Sequence, residues 1–125
     1  MRRSIPLRCR CRSSAHSGGR SAFSVRCCIY IQADSKGHAI RVGKASQGLI
    51  ARYRGGTGWA LDAAMHGSGN VVFVAPVESA LVDAVESRLI WAHRDCLVYN
   101  NIGKLHEPAD DLMVVHRGDC PKFGN

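Results

Sequence analysis

No run of apolar residues in this chain approaches the roughly 20 that a membrane helix requires; the longest extends only from Val71 to Val77. A soluble protein is therefore the expectation, with no membrane partner. The six cysteines form no Cys-x-x-Cys pair, and Cys9-x-Cys11 is too close for ordinary pairing of two zinc ligands. No apolar signal segment precedes them, so reduced thiols in a cytoplasmic protein are expected ahead of disulfides or a structural metal. No internal repeat is visible.

Acid is missing from the first 27 residues, which hold seven arginines: Arg2, Arg3, Arg8, Arg10, Arg12, Arg20 and Arg26. The net charge of +7 therefore sits on this stretch, because residues 28–125 carry ten basic and ten acidic side chains. Within them, residues 28–61 carry five basic side chains against Asp34 alone, while 62–125 carry five against nine acids. Such a field attracts a phosphate backbone at long range and in a salt-dependent way. Rich in Arg, Ser and Gly, residues 1–26 read as a disordered basic arm. The same composition suits a mitochondrial transit peptide, which would imply the matrix, or sequence upstream of a true start at Val25.

From residue 27 the pattern changes. Cys27–Gln32 is β-branched and aromatic, Asp34-Ser35-Lys36-Gly37 is turn chemistry, and His38–Val42 returns as a second strand. Ser46 can cap a short helix with Leu49, Ile50 and Tyr53 on its apolar face and Arg52 and Arg54 outside. Gly55–Gly58 breaks it, and Trp59–His66 suits another helical turn or two. The apolar run Val71–Ala75 suits a buried strand. A helix is expected from Pro76 to about His93, with Leu81, Val85, Leu89 and Ala92 as its stripe. The order β-β-α-(α)-β-α implies an α+β domain over 27–103, a small three-stranded antiparallel or mixed sheet with flanking helices, and a C-terminal tail over 104–125.

Three features stand in a telling order: Cys28-Ile29-Tyr30, then Arg41-Val42-Gly43-Lys44-Ala45, then Glu86 inside the best amphipathic helix, with Tyr99-Asn100 beyond it. The set resembles the GIY-YIG nuclease family over roughly residues 27–103. That family is named for a Gly-Ile-Tyr motif and a Tyr-Ile-Gly motif ten or eleven residues later. The Gly-Lys-Ala ending is particularly similar to that of the nuclease component of bacterial nucleotide excision repair. The resemblance implies an endonuclease that nicks one strand of DNA, with RNA left open, using a single Mg²⁺ or Mn²⁺. It implies Glu86 as metal ligand, Tyr30 as the group that positions or activates water, and Arg52 with Lys44 on the scissile phosphate. Arg41, Gly43, Arg54 and Asn100 complete the implied nucleic-acid contacts.

Two positions depart from the motifs. Cys28 stands for the first glycine. Arg41 stands for the second tyrosine, and a guanidinium cannot give up its proton as a phenol can. Either Tyr30, Lys44 or metal-bound water carries that role, or the domain binds nucleic acid without cutting it. A third reading is a non-enzymatic interaction domain. A domain this small leaves specificity to nucleic-acid structure, weak selectivity, or a protein partner or second copy.

Overall fold

The computed structural model describes residues 3–13, 27–46, 71–98, 100, 104 and 106–124. In chain order the elements are β1 (Arg3–Ser13), β2 (Cys28–Ala33), β3 (Ala39–Ala45), β4 (Val71–Pro76), α1 (Val82–Ala92) and β5 (Leu112–Gly118). The strands form one sheet in the order β3-β2-β4-β1-β5. All neighbours are antiparallel except β1 and β5, which run parallel. The α+β class is as expected, but the sheet has five strands rather than three.

Both additional strands come from segments read as arm and tail. In β1, Ile5, Leu7 and Cys9 are buried while Ser4, Pro6, Arg8 and Arg10 are exposed. This is period-two alternation, the signature of a half-buried strand. Arginine content concealed it, because overall polarity says nothing of which face each residue takes. β5 is fixed beside β1 along its whole length, from Arg3↔Leu112 to Cys9↔Gly118.

Among the described residues there is one helix, and it starts later than Pro76. Pro76 is still in β4, opposite Cys28, and the next amide, that of Val77, donates to the Cys27 carbonyl at 3.2 Å. Strand pairing therefore takes the residues that the helical pattern would have used. The helix then begins at Val82, after a turn in which Leu81 N–H donates to Glu78 O. The expected helices around Arg52 and over 59–66 fall in 47–70, outside the described residues. No helix among the described residues is long and apolar enough to cross a membrane.

Helix α1 packs against β2, β3 and β5. β3 and β5 are the two edges of the sheet, which would stand roughly 19 Å apart if it were flat. A helix about 10–12 Å across touches both only if the sheet curls around it. The C-terminal segment draws the edges closer still: Ala39 N–H donates to Lys122 O at 2.8 Å, and Lys122 N–H donates to Gly37 O at 2.9 Å. The concave face holds the main core, in which Leu7, Ile29, Ile31, Val42, Phe73 and Ala75 meet Val82, Val85, Leu89 and Ile90 of α1. The convex face carries a second, smaller cluster of Cys28, Tyr30, Ala45, Val72 and Val74.

The β2–β3 turn is built by Asp34, whose Oδ1 accepts the amides of Lys36 at 2.9 Å and His38 at 3.0 Å. Gly37 sits at φ +85, a conformation that L side chains rarely adopt.

Candidate nucleic-acid site

β2 and β3 pair so that Tyr30 lies opposite Gly43 and Gln32 opposite Arg41. Tyr30 is fully buried, and its ring lies across Gly43 so closely that a Cβ at that position would overlap the ring carbons. The glycine of the second motif is thus required by the tyrosine of the first. Arg41 occupies the neighbouring place on the same face, and its Nη1 donates to the Tyr30 hydroxyl at 2.9 Å. The guanidinium carbon stands 5.8 Å from the ring centroid, and Nη1 reaches Gln32 Oε1 at 3.5 Å. The phenol oxygen therefore already accepts a bond from a permanent cation.

Cys28, where the first motif has glycine elsewhere, is buried beside Tyr30 in the convex cluster. Burial, and to a lesser extent the neighbouring Cys27 thiol, pushes its thiol up to about 12. It is a packing residue rather than a nucleophile.

Lys44 points the other way. It lies opposite Ile29, a core residue of the concave face, and its Nζ makes an ion pair with Asp83 in the first turn of α1. Glu86 follows Asp83 by three residues, so the two carboxylates neighbour one another along the helix. Glu86 is half-buried and, like Tyr30 and Lys44, makes further contacts within the chain. The second motif and the Glu86 helix are brought together through Lys44, while Tyr30 and Arg41 stand on the opposite face of the sheet. The expected set is therefore split in two.

Asn100 does something different again. Its Oδ1 accepts the Val42 amide at 2.8 Å, and its Nδ2 donates to the Val42 carbonyl at 2.9 Å. The side-chain amide supplies the pair of bonds that a neighbouring strand would give to the open edge of β3. Arg52 and Arg54 lie outside the described residues.

Sequence reasoning missed Asp83 and Gln32, the partners of Lys44 and Arg41. Asp83 had a legible signal, since it stands three residues before Glu86 on one helix. Beside it runs an open groove of about 530 Å³ between α1 and residues 106–110, lined by Asp83, Ser87, His106, Glu107 and Asp110. Arg88 supports its far wall, donating to Asp110 Oδ1 at 3.0 Å, Asp110 O at 2.6 Å and Glu107 Oε1 at 3.3 Å. The three carboxylates around this groove are paired, Asp83 with Lys44 and Glu107 and Asp110 with Arg88.

No group of three or more His, Cys, Asp and Glu able to hold a metal occurs among the described residues. Glu86 is a half-buried carboxylate on α1, and Mg²⁺ is commonly bound through just one or two carboxylates with several waters. Compared with known proteins, the chain matches no family model, no curated protein and no solved structure.

Proposed function

We propose that this protein is a GIY-YIG-like, metal-dependent endonuclease that hydrolyses one strand of DNA. The observation that carries the reading is the bond between β3 and α1. Lys44, directly after the motif glycine, is drawn onto the helix whose next turn bears Glu86. Glu86 would hold one Mg²⁺ or Mn²⁺, which supplies positive charge for the phosphoryl oxygens when bound. Lys44, tethered to Asp83, presents a point charge beside the same helix. Arg52 belongs to this set by its place in the sequence. Asn100 fixes the edge strand on which Lys44 stands, so its part is positional.

The Arg41–Tyr30 bond favours a second reading. A guanidinium bound to the motif phenol suits phosphate binding, and it occupies one acceptor position of the phenol oxygen. On this reading the domain holds nucleic acid without cutting it.

Incubation of supercoiled plasmid with the protein and Mg²⁺ or Mn²⁺ separates the two. Metal-dependent nicking supports the endonuclease. Retained plasmid with no nicking supports the binding module, and gain of nicking by Arg41→Tyr would then identify the residue responsible.

A further inference from the structure

β1 does more than complete the sheet. Its register sets Arg10 opposite Val74, and Arg12 opposite Val72, and Val72 and Val74 belong to the convex cluster with Tyr30. On the other side Arg8 lies beside Arg117 of β5. Side chains two apart in a strand share a face. Arg8, Arg10 and Arg117 are therefore on the convex face together with Arg41, and all three are exposed. Across this face the described strand positions are Ser, Pro, Arg, Met, Val, Cys, Tyr, Gln, Gly and Ala; none is Asp or Glu.

Arg8 and Arg117 are like charges at directly neighbouring positions, an arrangement that costs stability in a sheet. Arg8 and Arg10 make no side-chain hydrogen bond or ion pair among the described residues, and Arg117 bonds only the adjacent His116 carbonyl, at 3.3 Å. Among the described residues these charges thus repel one another without compensation, while Asp83, Glu107 and Asp110 line the groove beside α1.

We infer that the β1–β5 half of the convex face binds the phosphodiester backbone of a nucleic acid through Arg8, Arg10 and Arg117. Planar guanidiniums on a rigid strand, about 7 Å apart along β1 and about 5 Å across to β5, suit bidentate contact with successive phosphates. Such contacts position a duplex without reading its sequence. A lipid surface fits less well, because interfacial binding needs a buried apolar stripe and, among the described residues, this face offers only Met113 as an exposed large hydrophobic side chain. The inference rests on the preceding proposal for its partner, and not for cleavage.

The test is fluorescence anisotropy of the full chain with a short mixed-sequence duplex DNA, in chelator and over a series of salt concentrations. Each neutralised phosphate contributes about 0.9 to the slope of log K against log salt. Arg8→Gln/Arg10→Gln/Arg117→Gln is expected to lower that slope by close to three units and to weaken low-salt binding by roughly tenfold or more. Each single variant should remove about one unit, which keeps the test sound if the triple variant folds poorly. Lys36→Gln, at the exposed hairpin turn, should leave the slope unchanged. An unaltered slope in the single and triple variants overturns the inference. So does retained duplex binding with loss of binding to anionic phospholipid vesicles, which would make the face a membrane contact. Absence of duplex binding by the parent overturns the shared partner, whereas binding without nicking overturns the endonuclease alone.

Discussion

Asn100 holds Val42 by both of its backbone groups, at 2.8 and 2.9 Å, in the manner of a strand added to the edge of β3. The two residues are 58 apart in sequence, so this side chain ties the chain after α1 to the hairpin. Asn100→Ala should cost about 1–2 kcal/mol, one ordinary net hydrogen bond each way. Asn100→Asp should also destabilise, because a carboxylate can accept the Val42 amide but repels its carbonyl. Urea unfolding of the three proteins measures the difference. An unchanged midpoint for Asn100→Ala would show that water replaces the amide fully.

Tyr30 and Gly43 should behave as one unit. Gly43→Ala places a methyl group against a fully buried ring with nowhere to move, and should cost about 1–3 kcal/mol by overpacking. In a Tyr30→Leu background the same substitution should cost less, since the ring atoms it meets are gone. Additive effects in thermal or urea melts would contradict the contact.

Arg88 is 9% exposed and bonds the 107–110 loop through two side chains and two carbonyls. Arg88→Met removes the guanidinium, leaving both carbonyls without that donor and Asp110 Oδ1 with only the Leu112 amide, at 3.2 Å. A loss of about 1–3 kcal/mol is expected from the lost hydrogen bonds to charged and carbonyl partners, which water can reach in part. Arg88→Lys should recover only part of it, as an ammonium cannot span the same fork. Denaturant midpoints for the pair decide the matter.

Acid should loosen the contact between α1 and the C-terminal segment. His93 stacks on Phe123 with centroids 3.7 Å apart, and His116 stands 5.9 Å away. Burial, then the nearby His116, lowers the His93 imidazole from 6.5 to about 4, and burial lowers His116 as well. Both are held neutral in the folded chain and charge more readily when it unfolds. Their contribution is intact above about pH 6.5 and is lost as the pH falls towards 4. For His93 the loss is about 3 kcal/mol at most. His93→Gln should flatten the fall in urea midpoint between those pH values, and an equally steep fall would locate the sensitivity elsewhere.

Much of the centre of this fold was legible in the sequence. Tyr30, Gly43 and Val71–Ala75 sit on strands where β-branched runs and turn residues put them, and Glu86 is on a helix set by Val85 and Leu89. Two strands were not legible, for different reasons. In β1 the alternation of Ile5, Leu7 and Cys9 with arginine was present, but composition outweighed it. In β5 the buried face is shared between Leu112, the core's partly buried Val114, and His116, so no strict alternation of apolar and polar residues marks it. The split of the site could not be read either. Tyr30 and Lys44 fall on opposite faces only once the register Tyr30↔Gly43 is fixed, because a shift of one residue would bring Lys44 to the face of Tyr30.

The proposed division puts cleavage on Glu86 and nucleic-acid binding on the opposite face of the sheet. Its most direct test compares the parent with Glu86→Gln on supercoiled plasmid, reading Mg²⁺-dependent nicking and duplex affinity in the same preparation. Nicking is expected to be lost with duplex affinity unchanged. Nicking by Glu86→Gln at the parental rate would contradict it.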